Sequence, residues 1–268
     1  MFPPIMRLVT SVFFAPLDVY QPAGMFTLQH LVSLLFCLAL VSLLLVKSKP
    51  MSKQFLMKLT KGMAFFITTL EIVKIAYNFY YGYTWLDAWF PLSYCSLFIY
   101  ALWFSAYGKG LVRRIGDAYI GIGCLLGGLA FLFVPTTSLM RYPIWHFLSL
   151  YSLFFHTVMI YFGVMYLRQN KVTVSRQNII YFATFFLFFA LLSIMINGEA
   201  GSNLMILREP YHIPFEWVHV LKQKSQVAYT LLAMLLYLVG PISFSWVASQ
   251  MIMKRDFLKL NKQWTSID

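Results

Sequence analysis

The stretch FPLSYCSL, residues 90–97, sets Cys95 among a proline, two serines and a tyrosine at the start of an apolar run. Two readings are open. A free cysteine packs as a small hydrophobe, which makes Cys95 filler in a helix. It is also a candidate nucleophile. Apolar burial keeps a thiol protonated and inert, whereas an adjacent imidazole makes the thiolate accessible. His156, in LYSLFFHTVMIYF, has no other ionisable residue within a helical turn. A lone histidine there is either a hydrogen-bonded packing residue or a general base. Cys95 and His156 are a chemical unit only if the fold brings them together.

Other ionisable side chains lie within apolar runs, where each costs roughly 2.5–3.5 kcal/mol and needs a reason. Glu71 and Lys74 are three apart, so they share a helix face and can pair. Alternatively Glu71 orients a histidine and Lys74 reaches a headgroup. His30 is a second candidate base, nearer to Cys95 in expected depth. Ser93 and Ser96 flank the cysteine as possible oxyanion donors. His212, Glu216 and His219 have a spacing compatible with metal ligation, but a solvated loop explains them as well, and no metal or other cofactor is expected.

These residues sit in a chain of 268 residues that is 60% hydrophobic, 19% aromatic and 11% charged. Soluble domains carry about 25% charged residues, so the composition predicts an integral membrane protein in the cell membrane and leaves no room for a separate soluble domain. Seven apolar runs, near 25–46, 62–83, 88–107, 117–134, 144–167, 179–197 and 226–250, predict an all-α, polytopic bundle of about seven transmembrane helices. Residues 1–24 form an interfacial lead, 25–250 one transmembrane domain, and 251–268 a basic tail. The segments 47–61, 108–116, 168–178 and 254–262 hold 15 of the 21 Lys and Arg residues. That asymmetry predicts the N-terminus outside and the C-terminus in the cytoplasm, and an odd number of spans agrees. The +12 charge is then a device of topology and of contact with anionic lipid headgroups, not of nucleic-acid binding. Cys37, Cys95 and Cys124 all lie in apolar runs without a CxxC pair, which suggests neither a disulfide framework nor a zinc site. The segment 198–225, with its charges, prolines and aromatics, reads as an outer lid or re-entrant element.

On straight helices the two reactive candidates do not meet. Cys95 lies about 7 residues into the third span and His156 about 12 into the fifth, a mismatch of roughly 7–8 Å at 1.5 Å per residue, which a shift of about three residues in the span boundaries, helix tilt or an offset at Pro91 would remove.

The chain from about residue 22 to 245 resembles the YwaF family of bacterial integral membrane proteins, itself similar to the transmembrane protein 164 acyltransferases of animals. The resemblance rests on PAGMFTLQHLVSLLF with His30, LEIVKIAYNFYYG with Glu71, and FPLSYCSL with Pro91, Leu92 and Cys95. It also rests on YPIWHFLSLYSLFFHTV with His156, and on NGEAGSNLMILREP with Asn197, Gly201, Asn203, Met205 and Pro210. It implies transfer of fatty acyl groups between membrane lipids through Cys95 and His156. Glu71 or His30 would support the base, and Ser93, Ser96 or Asn203 would donate to an oxyanion. The family pattern has histidine two residues before the cysteine, and this chain has Ser93. Two further readings stand beside lipid acyl transfer or hydrolysis. One is a transporter or lipid-binding protein without chemistry. The other is a structural partner whose polar residues are interhelical hydrogen-bond glue.

Overall fold

The structure is a computed structural model that describes residues 9–264, and side chains for 10–254. Within those limits it is all helical. Four of the long helices begin where the sequence supplies a side-chain acceptor for free N–H groups. Helix α1 (Leu28–Lys47) starts at Thr27, α2 (Lys53–Tyr80) at Ser52 and α7 (Arg176–Ala200) at Ser175, each through its side-chain oxygen. Helix α6 (Phe147–Arg168) is capped by His146, whose Nδ1 accepts from Leu148 N–H at 3.1 Å. Helix α7 ends on Gly201 in the left-handed conformation that glycine adopts without strain.

The third apolar run departs from a straight span. One helical turn, Leu86–Trp89, stops at Phe90, which is extended at φ −75° and ψ 121°. The cause is Pro91, which disfavours helical geometry in the residue before it. The chain re-enters a helix only at α3 (Leu97–Tyr107). Helix α4 (Gly110–Ala118) passes through a π-helical turn, Tyr119–Gly123, into α5 (Cys124–Phe133). A short helix α8 (Glu216–Lys224) precedes the long α9 (Gln226–Trp264).

Five helical runs are long and apolar enough to cross a membrane: 28–47, 110–140, 147–168, 176–200 and 226–254. Helix α2 has 28 residues but carries several lysines, and α3 has only 11. The runs 110–140 and 147–168 are 72% and 78% buried, against 11–28% for the other three, so α4–α5 and α6 form the centre. The peripheral helices expose Leu28, Leu35, Phe36, Phe188, Met195 and Val227, a continuous apolar exterior suited to hydrocarbon.

Two polar devices lock the ends. At the end carrying the basic connections, Lys171 Nζ lies 2.9 Å from Asp117 Oδ1 and donates to Ser105 Oγ (3.0 Å) and Tyr166 OH (2.9 Å). Ser105 also donates to Asp117, and Thr60 bonds Tyr166 OH at 2.9 Å. At the opposite end the described part of the expected interfacial lead forms a strap. Tyr77 OH (2.6 Å) and His146 Nε2 (3.0 Å) both donate to the Ala15 carbonyl, and Ala23 and Gly24 N–H donate to Tyr142 and Leu139 carbonyls. Residues 1–8 of that lead, and 265–268 of the expected basic tail, lie outside the described residues.

Candidate functional site

At the strap end, the bundle forms an open cavity of about 670 Å³. Cys95, His156, Glu71, Lys74 and Ser93 all line it. His30, Asn197 and Asn203 are not among its lining residues.

Helix α5 packs against the elements that carry both reactive candidates. Cys95 Sγ donates to the Gly127 carbonyl at 3.8 Å. On the next residue, a Cβ on Gly128 would stand 2.8 Å from the His156 carbonyl oxygen and 2.6 Å from Ile160 Cγ1. A Cβ on Gly127 would stand 2.8 Å from Tyr94 Cε1. Adjacent glycines thus let α5 touch the Cys95 turn and α6 at one level. Residues 90–96 are not helical, so a count of 1.5 Å per residue does not apply to the depth of Cys95.

One turn further along α5, Phe131 stacks on the His156 ring, with centroids 3.7 Å apart and planes at 8°. His156 Nδ1 lies 2.6 Å from the Ser152 carbonyl oxygen, four residues back on its own helix. A carbonyl only accepts, so Nδ1 carries the hydrogen and Nε2 is the bare acceptor. Nε2 is buried and has no hydrogen-bond partner. The ring is held by a stack and a hydrogen bond, and its Nε2 is left free to accept a hydrogen bond.

Glu71 is buried and receives Tyr151 OH on Oε2 at 2.6 Å. Its Oε1 stands 2.5 Å from Lys74 Nζ, a close ion pair without aligned hydrogen-bond geometry. The expected Glu71–Lys74 pair is therefore formed. The histidine-orienting role considered for Glu71 falls instead to the Ser152 carbonyl. Ser93 and Ser96 bond each other at 2.8 Å beside Cys95, and both line the cavity.

The residues outside the cavity have other work. His30 Nε2 donates to the Leu132 carbonyl (2.8 Å) and Nδ1 accepts from Phe26 N–H (3.0 Å), so neither nitrogen is available as a base. Asn197 Oδ1 accepts from Leu204 N–H and Ser202 OH. Asn203 Oδ1 accepts from Arg208 and Glu209 N–H groups. They pin the 201–215 segment, which covers the cavity with Met205, Ile206 and Tyr211. Asp87 fastens it from the other side, accepting Asn203 N–H (2.7 Å) and Tyr211 OH (3.1 Å). Met205 and Ile206 adopt φ of 57° and 55°, costly for side chains of their size and held by these tethers. His219 donates to the Ile213 carbonyl at 2.9 Å, and no described group of three His, Cys, Asp or Glu residues is arranged to hold a metal ion.

Sequence reasoning missed Ser152, the Gly127–Gly128 pair, Phe131 and Asp87. The i−4 position of Ser152 and the paired glycines were available as signals. Phe131 and Asp87 act across distant sequence and gave none.

Fold and site together define a helical membrane protein with a thiol and an imidazole of free Nε2 lining one cavity. The family model described as the TMEM164 family matches residues 25–247, and the chain belongs to that family. No curated protein and no solved structure gives a match to it.

Proposed function

We propose that this protein is a multi-pass enzyme of the cell membrane that moves fatty acyl groups from membrane lipids through Cys95. The chain crosses seven times, α2 and the broken α3 region being the two crossings that length and apolarity alone do not count. Its basic loops face the cytoplasm, and the cavity faces the outer leaflet. The observation that carries the reading is the buried, unpartnered Nε2 of His156 in the cavity that Cys95 lines. Membership of the TMEM164 family supports it, as does the apolar character of much of the cavity wall, to which Leu126, Phe133 and Leu236 contribute.

Cys95 gives its proton to His156 Nε2 as the sulfur attacks an ester carbonyl, forming the S–C bond. The ester C–O bond breaks, and His156 returns the proton to the departing alkoxide, leaving an acyl thioester and a lysolipid alcohol. A second lipid hydroxyl, or water, then attacks the thioester. Its proton passes through His156 to the leaving thiolate. Ser93 or Ser96 is placed to donate to the oxyanion. His156 lacks an acidic partner and uses a neutral carbonyl, which orients the ring without making it more basic.

The test is turnover of a phospholipid with a labelled acyl chain by reconstituted protein, following transfer to a lysolipid and release of free acid. Wild type should turn over, and Cys95→Ala and His156→Gln should fall by at least about a hundredfold. A Cys95→Ala protein with the wild-type rate would sink the reading. The Glu71–Lys74 pair inside the cavity favours, as a second reading, lipid binding or transport without chemistry. In that case flux would depend on Glu71 and ignore Cys95.

A further inference from the structure

The cavity has a second unused polar atom, far along the chain from the reactive pair. Ser138, in the turn after α5, is 9% exposed, and its Oγ is buried without a hydrogen-bond partner. A buried hydroxyl with nothing to bond costs stability unless something else occupies it. Three residues on, in the same turn, stands Arg141, whose backbone N–H donates to the Ser138 carbonyl. Both side chains line the cavity.

The charges there single out Arg141. Four charged side chains line the cavity: Glu71, Lys74, Asp87 and Arg141. Glu71 and Lys74 neutralise each other. The Asp87 oxygens are taken by Asn203 N–H and Tyr211 OH. Arg141 has no ion-pair partner among the described residues, and its guanidinium is a planar fork of donors that suits a tetrahedral oxyanion.

We infer that the cavity mouth carries a phosphate subsite, with the Arg141 guanidinium and the Ser138 hydroxyl as its donors. The inference rests on the acyl-lipid reading for its meaning, since a phosphate held at the mouth would leave the ester-bearing part of a lipid to run inward toward Cys95. Its chemistry stands independently, because a phosphate could arrive on a lipid or free.

The experiment measures binding in the full-length Cys95→Ala protein, where acyl transfer through that thiol is impossible, so its outcome is separate from that of the turnover assay. Thermal unfolding in an uncharged detergent is titrated with dihexanoyl phosphatidylcholine, with dihexanoylglycerol, and with sodium phosphate against sodium chloride of equal ionic strength. The phospholipid should raise Tm and dihexanoylglycerol should not. Arg141→Gln should weaken the phospholipid's apparent Kd about tenfold or more, and Arg141→Lys by less. Ser138→Ala should weaken it several-fold while leaving Tm without ligand unchanged or higher, because it removes an unpartnered hydroxyl; a purely structural serine would lower Tm instead. Protection by sodium phosphate as well would support an anion subsite open to free phosphate. Protection by the phospholipid alone would support a headgroup subsite. Equal protection by dihexanoylglycerol, or unchanged phospholipid binding in both Arg141→Gln and Ser138→Ala, would overturn the inference.

Discussion

The molecule buries polar groups at both ends, and the two ends use them differently. At the basic end, Lys171, Asp117, Ser105, Tyr166 and Thr60 satisfy one another in a closed network, and only the neighbouring Gln169 Oε1 is left buried without a partner there among the described residues. At the strap end, His156 Nε2 and Ser138 Oγ are buried with nothing to bond. A saturated network can hold helices together but has nothing to offer a substrate. Unspent acceptors and donors cost stability, and their retention inside a cavity is the mark of a place built for something else. The first region reads as a clamp, the second as a site.

The contrast is sharpest in what mutation should do. Cys95→Ala removes only one weak S–H bond, so it should abolish acyl transfer, by at least about a hundredfold, with little change in Tm. Asp117→Asn should do the reverse. It strands the Lys171 ammonium beside the buried Ser105 and Tyr166 and should cost about 3 kcal/mol, read as a lowered unfolding midpoint in detergent, while any protein that remains folded turns over normally. If Asp117→Asn instead killed turnover at unchanged stability, the division into clamp and site would fail.

Gly128→Ala tests the close packing of α5 on α6. The added methyl meets the His156 carbonyl and Ile160, so a stability loss of about 1–3 kcal/mol should accompany a loss of activity, as α6 moves away from α5. Gly62, where an added Cβ meets nothing within 4 Å, is the control and should tolerate alanine.

The smallest effect concerns His146, just before α6. Burial lowers its pKa to about 4, against the opposing pull of its bond to the Ala15 carbonyl. Its neutral form is also the one the geometry uses, since Nδ1 accepts from Leu148. Between pH 6.5 and 4 the unfolded chain binds a proton that the folded one refuses, so stability is full above about pH 6.5 and declines as pH falls toward 4. Tm measured across that range should show the decline, and His146→Asn, which keeps a capping acceptor, should flatten it.

Much of the bundle was legible because long apolar runs and clustered lysines carry their message locally. The Glu71–Lys74 pair was legible for the same reason, as both residues lie on one helical turn. The placement of Cys95 and His156 on one cavity was only half legible. Pro91 announced a break, but how far the chain would travel before α3 began depends on packing against α5. His30 drew attention as a buried histidine, yet its carbonyl partner lies 102 residues away at Leu132. The clamp escaped notice because Ser105, Tyr166 and Lys171 are ordinary residues one at a time, and Asn197 and Asn203 read as site residues when their amides hold the cover over the cavity.

The central claim is that His156 activates Cys95, and the most direct measurement is capture of the acyl-enzyme. Reconstituted protein is incubated briefly with labelled acyl lipid, quenched in acid, and scored for hydroxylamine-sensitive label by peptide mapping. The account predicts label on Cys95 in the wild type, none in Cys95→Ser, and loss of nearly all of it in His156→Gln. Label spread equally over Cys37, Cys95 and Cys124, or undiminished on Cys95 without His156, would contradict it.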